Sequence, residues 1–193
     1  GVCHGHIEAS LRPAHLLDVV RNFILFKKDQ GRTVKLVPRY QQFRAVHRAV
    51  ERLRTGKTRG QDGDHDTRGG VIWHTQGSGK SFSMIFYVRK IFRKQTGNFT
   101  FVVVTDRDDL DGQIYRNFLH TGTVTKAEAA QPKDSEEMRK FLGQNKRLVF
   151  TLIQKFRWPK GKAYPLLSPR DDIIVIVDEA HRTQYKDLAE NMR

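Results

Sequence analysis

The chain has 193 residues, 38% of them hydrophobic, which is enough for one domain with a real core and too few for two large ones. Lysine and arginine number 35 against 21 acidic residues, a formal net charge of +14, so a polyanion or anionic surface is a natural partner and a solvated basic exterior the plain alternative. Cys3 is the only cysteine, Ile173 to Val177 is the longest aliphatic run, and no signal-peptide pattern opens the sequence; the disulfide-framework and membrane-spanning classes are excluded, and a soluble protein of a reducing cytoplasm fits.

Taken in chain order, Ser10 followed by "LRPAHLLDVVRNFILF" predicts a helix, with Pro13 in its first turn and Leu16, Leu17, Val20, Phe23 and Ile24 at helical spacing. The turn "DQGR" ends it. After the short apolar run "VKLVP", a second amphipathic helix is predicted over about Gln41 to Arg54, with Phe43, Val46, Val50 and Leu53 on one face. The stretch "TGKTRGQDGDHDTRGG", Thr55 to Gly70, has no apolar periodicity and reads as a loop. Its "DGDHD" is no calcium loop, because Thr67 and Trp73 stand where the sixth-position glycine and twelfth-position glutamate belong. "CHGH" at Cys3 to His6 lacks the second ligand cluster of a structural zinc site.

From Val71 the pattern alternates. Strands are predicted at Val71 to Trp73, Phe101 to Thr105, Leu148 to Leu152 and Ile173 to Val177, and helices at Ser81 to about Lys94, Asp109 to Phe118 and Ser135 to Leu142. Continuous apolar strands separated by helices imply an α/β fold whose mostly parallel sheet is covered on both faces.

Two motifs carry chemistry. In "VIWHTQGSGKSFSM" a glycine-rich turn between an apolar run and a helix ends in Gly-Lys-Ser, the form of a phosphate-binding P-loop. Thr75, Gln76, Gly77, Ser78 and Gly79 form the loop, Lys80 can reach the β- and γ-phosphates of ATP, and the Ser81 hydroxyl can hold Mg²⁺. His74 occupies the place of the first glycine in the strict pattern. In "DIIVIVDEAH" a buried strand delivers Asp178 and Glu179 to its C-terminal end, where open α/β sheets bind ligands. Asp178 suits the Mg²⁺ shell and Glu179 the attacking water, although an acidic helix start would give the same letters.

"HTQGSGKS" and "VDEAH" resemble the ATP-site motifs of superfamily 2 helicases and translocases. "LLDVVRNFILF", "RYQQFRAVHRAV", "GVIWHTQGSGKS", "VVVTDRDDLDGQI", "TLIQKF" and "IVIVDEAHRTQY" are further similar, in order and over most of the chain, to the restriction (R) subunit of type I restriction-modification enzymes. In that family His74 is the usual residue. The resemblance implies a RecA-like P-loop domain that uses ATP and Mg²⁺ to translocate double-stranded DNA, alongside modification (M) and specificity (S) subunits. It implies that Gln42, or Gln41 beside it, reads adenine, that His181 couples the ATP site to other motifs, and that Arg107 contacts a DNA phosphate. Arg107 could equally pair with Asp106 or Asp108, and a histidine just past a strand could serve only its own helix start; Gln113 and Gln154 are weaker candidates.

The same resemblance implies residues 1–36 to be a helical connector from an absent nuclease domain and 37–193 to be a first motor domain truncated after the DEAH motif. No Asp or Glu has lysine two positions later, so the nuclease site of the PD-(D/E)xK class is not in this stretch. The strand that follows DEAH in this superfamily lies between the P-loop and DEAH strands, and a second RecA-like domain completes the ATP site. A piece lacking both is expected to be poorly stable or poorly active alone.

Overall fold

The structure, a computed structural model, describes residues 12–63, 66–75, 77–144, 146–156 and 165–178. Its contacts divide the chain into two units, Gly1–Thr96 and Gly97–Arg193.

The first unit is built from helices and one hairpin. Helix α1 spans Pro13–Asp18 and passes into a wide turn, Val19–Phe23, closed by an i to i+5 hydrogen bond from Ile24 N–H to the Val19 carbonyl. The helix expected to run on through Phe26 therefore stops short. Ile24 is extended, and Leu25 begins strand β1, Leu25–Asp29, which pairs antiparallel with β2, Arg32–Leu36. Helical spacing in "NFILF" is overridden because pairing with β2 completes the backbone hydrogen bonds and buries Leu25 fully. The turn is the one the sequence predicts. Gln30 and Gly31 both have positive φ, as a two-residue hairpin loop requires.

Helix α2, Tyr40–Thr55, and a single turn α3, Arg59–Asp62, lead to helix α4, Lys80–Lys94. On α4, Ile85, Phe86, Val88 and Ile91 are buried. The strand expected at Val71 to Trp73 does not form, and both Val71 and Trp73 are more than four-fifths exposed. An apolar run becomes a strand only where a neighbour supplies its ladder, and none of the described residues pairs with this one.

The second unit is the parallel sheet that the apolar runs imply, in the order β4-β5-β3-β6. Its strands are β3 (Thr100–Thr105), β4 (Ala129–Ala130), β5 (Leu148–Leu152) and β6 (Ile173–Val177), all running the same way. Every residue of β3 is buried, as a central strand between helical layers must be. Helix α5, Asp108–His120, lays Tyr115 and Phe118 edge-on against Phe150, with ring centroids 5.3 and 5.4 Å away. On the alternate strand positions Val102, Val104 and Val149 pack with Met138 and Leu142 of helix α6, Ser135–Gly143. Asp134 caps α6 by accepting from the Glu137 N–H at 2.8 Å. Arg170 ties the start of the sheet together, donating to the carboxylate of Asp172 and to the carbonyls of Leu142 and Asn98.

Candidate functional site

In the first unit, residues 77–81 turn from coil into α4. Gly77 and Gly79 have φ of +74° and +83°, left-handed conformations that explain why glycine stands at both places. Gly79 carries a second constraint: a Cβ there would lie 2.8 Å from Nε2 of Gln42, whereas one on Gly77 would meet nothing within 4 Å. The loop closes on itself through Ser78 N–H to the Thr75 carbonyl, 3.2 Å, and the Gly79 carbonyl accepts from Phe82 and Ser83 as the helix begins. Lys80 and Ser81 occupy the first turn of α4, where backbone N–H groups have no partner within the helix and the dipole is positive.

Gln42 and Gln41 have different fates. Gln41 is exposed, while Gln42 is buried and lies against the loop. Gln42 Nε2 donates to the Gly79 carbonyl at 2.9 Å and, more weakly, to that of Ser78 at 3.4 Å; its Oε1 accepts from the Arg39 N–H at 2.8 Å. The side chain thus stitches the start of α2 to the P-loop, and its Oε1 retains capacity for one further bond.

A triphosphate suits this setting. The loop offers first-turn N–H groups, an open side at Gly77 and the lysine, and two buried polar atoms close by, Ser78 Oγ and His74 Nε2, have no hydrogen-bond partner. Gln76 lies outside the described residues; Thr75 and Gly77 are exposed, and Ser78, Gly79, Lys80 and Ser81 are half-buried.

The second unit holds the other candidates. Asp178 directly follows β6, and its N–H donates to the Val104 carbonyl at 2.9 Å, so the β3–β6 ladder places it at the C-terminal end of the sheet. Glu179 and His181 lie outside the described residues. Arg107 precedes α5 with its side chain 56% exposed, and its Nε is 4.0 Å from the Asp106 carboxylate, the outer limit of an ion pair. Gln154 donates to the Asp106 carbonyl at 2.9 Å and so shapes the turn that carries Arg107. Gln113 is exposed.

Two features escaped the sequence reading. Asp111 is buried beside that turn; burial pushes its carboxyl above the usual range, and Gln131 donates to its Oδ2 at 2.7 Å while Oδ1 has no partner. In the first unit, Asp18, His47 and Lys90 meet at one point. The available signal for the second was Lys90 itself, a lysine inside the apolar stripe of α4 between Phe86 and Ile91, where a charge must find a partner.

The four-stranded parallel sheet between helices is that of a partial RecA-like ATPase domain, and residues 41–193 match the family model of the SWI2/SNF2 ATPase. The chain belongs to that family. Over 93% of its length it is 43% identical to the type I restriction enzyme HindI endonuclease subunit of Haemophilus influenzae. Over the same share it is 36% identical to the putative type I restriction enzyme MjaIXP endonuclease subunit of Methanocaldococcus jannaschii. The chain spans 17% and 16% of the length of these two relatives. No helix among the described residues is long and apolar enough to cross a membrane.

Proposed function

We propose that the chain is the ATP-binding and hydrolysing motor segment of a type I restriction R subunit, residues 1–36 being the connector and 37–193 part of the first RecA-like motor domain. The observation that carries this is the P-loop of the first unit, with left-handed Gly77 and Gly79, Lys80 and Ser81 opening α4, and Gln42 bonded to the loop.

In this reading the triphosphate is held by Thr75, Gln76, Gly77, Ser78 and Gly79 through main-chain amides, and Lys80 neutralises its β- and γ-oxygens as negative charge builds on them. Ser81 and Asp178 would hold Mg²⁺, which when bound offsets phosphate charge. Glu179 takes the proton of the attacking water, and Gln42 spends its remaining bonding capacity on the adenine edge. His181 couples turnover to other motor elements, and Arg107, at the exposed turn before α5, binds a phosphate of double-stranded DNA. Such backbone contacts are independent of sequence and weaken with salt, which suits a translocase that passes over any sequence while a separate S subunit, beside the M subunit, chooses the site. The setting is the cytoplasm.

The test is ATP turnover by the full-length protein with duplex DNA, single-stranded DNA or RNA, repeated with Glu179→Gln. Stimulation by duplex DNA that disappears in the variant supports the proposal. Stimulation by RNA alone would mark a different superfamily 2 helicase, and nucleotide binding without turnover a binding module.

A further inference from the structure

Three helices of the first unit converge on one carboxylate. Asp18, the last residue of α1, accepts from Lys90 Nζ of α4 at 2.5 Å and lies 2.8 Å from His47 Nε2 of α2, while Asn22 donates to its other oxygen at 2.7 Å. Lys90 Nζ is also 3.0 Å from His47 Nε2 and 5.1 Å from the centre of the Phe23 ring. Burial works against every charge here. It raises Asp18, but Lys90, Asn22 and His47 outweigh it and hold that carboxyl below its ordinary value; it lowers Lys90 and His47, which Asp18 only partly offsets. Asp18 is therefore ionised and Lys90 its counter-ion, an arrangement that costs desolvation and needs a purpose besides stability.

The position of the cluster supplies one. The same face of α4 is fastened to the 18–24 turn twice more, Arg89 donating to the Ile24 carbonyl at 2.8 Å and Arg93 to that of Arg21. Phe23 of that turn packs against Phe43 of α2 and Phe86 of α4, with centroids 5.0 and 5.4 Å apart. Helices α2 and α4 are thus joined at two polar points, Gln42 to Gly79 at the nucleotide loop and His47 to Lys90 further along, and Asp18 closes the second. A helix pinned at one end only can pivot; pinned at both, it fixes its first turn.

We infer that Asp18 is a positioning residue for nucleotide binding: by gripping Lys90 and His47 it sets the angle of the P-loop helix against the helix that carries Gln42, and so makes the segment before the motor part of the ATP site's frame. This inference rests on the nucleotide reading above. It also contains a proton constraint. Nε2 of His47 either donates to Asp18 or accepts from Lys90, and cannot do both. A proton added to His47 introduces a cation into a cavity that already holds Lys90, Lys94, Arg54 and His15 around the single carboxylate of Asp18.

The test measures the affinity of the full-length protein for a fluorescent ATP analogue with Mg²⁺, beside thermal melting without nucleotide, for wild type, Asp18→Asn, His47→Gln and the loop variant Lys80→Ala. Asp18→Asn is expected to weaken binding about fivefold at a temperature where the protein stays folded, the scale of ordinary coupling between sites. Lowering the pH from about 7 to about 5.5 should weaken binding more steeply in wild type than in His47→Gln, which lacks the titrating ring. Unchanged affinity in Asp18→Asn together with a lowered melting temperature, or parallel pH profiles, would reduce the cluster to a structural clasp and overturn the inference. If Asp18→Asn does not fold, the half-exposed His47→Gln decides alone. Binding that survives Lys80→Ala unweakened sinks the nucleotide reading, whereas binding lost in that variant but untouched in the other two sinks only this inference.

Discussion

The two units reach order by different means. In Gly97–Arg193 the paired strands β3 and β5 are mostly apolar, and besides their backbones only the buried hydroxyls of Thr100, Thr105 and Thr151 are polar. In Gly1–Thr96 the helices are joined by an ion pair, a histidine, a glutamine on a backbone carbonyl and a knot of aromatic rings. Apolar burial is nondirectional and forgiving of small shifts, while polar contacts hold particular atoms at particular distances. The unit that carries the glycine turn before Lys80 uses the second kind.

Substitutions can break this contrast, beginning with the sheet. Phe150→Ala removes a fully buried ring wedged against Tyr115 and Phe118 and should cost about 3–5 kcal/mol in chemical denaturation. A loss under about 1 kcal/mol would show a loosely packed sheet core. In the first unit, Lys90→Met alone leaves the mostly buried Asp18 without its counter-ion and should destabilise by about 3 kcal/mol. The double variant Asp18→Leu/Lys90→Met should recover most of that in the same denaturation experiment, because two matched apolar groups need no partner. Additive losses would contradict the ion pair as drawn.

Legibility in the sequence follows the same division. Runs such as "FVVVT" and "IIVIV" need only a neighbour of their own kind, so the parallel sheet could be read from spacing, and "GSGKS" could be read because only glycine tolerates φ near +80° where the chain turns. The Asp18, His47 and Lys90 cluster could not, since nothing local links residues 29 and 43 positions apart. Val71 to Trp73 failed for a related reason: its apolar letters are those of a strand, but strand formation belongs to the pair and not to the run. The hairpin at Leu25 to Leu36 was hidden by a helical periodicity that persists one turn too long.

Smaller effects sharpen the comparison. Gly79→Ala meets left-handed strain and the Gln42 amide together and should cost about 1–2 kcal/mol, more than Gly77→Ala, where space is free and only the strain applies; equal costs would show that Gln42 does not crowd the loop. Acid should act in two stages. His47 is held below its ordinary 6.5, so the unfolded chain takes up its proton first and stability declines as pH falls below that value. Asp18 is held below its ordinary 3.8, so its contribution persists above that value and is lost only as pH falls through the lower folded-state pKa. Melting temperature against pH should therefore be flatter near pH 6 in His47→Gln than in wild type. Arg107→Ala should change stability by less than about 0.5 kcal/mol. The same variant should reduce the salt slope of duplex DNA binding by about one.

The central claim is that the loop running into Lys80 in the first unit holds a triphosphate. Its most direct measurement is the affinity of the full-length protein for ATP with and without Mg²⁺. The account predicts that wild type binds ATP in both conditions and that Lys80→Ala weakens binding with and without Mg²⁺; a Lys80→Ala variant that binds ATP as tightly as wild type would contradict it.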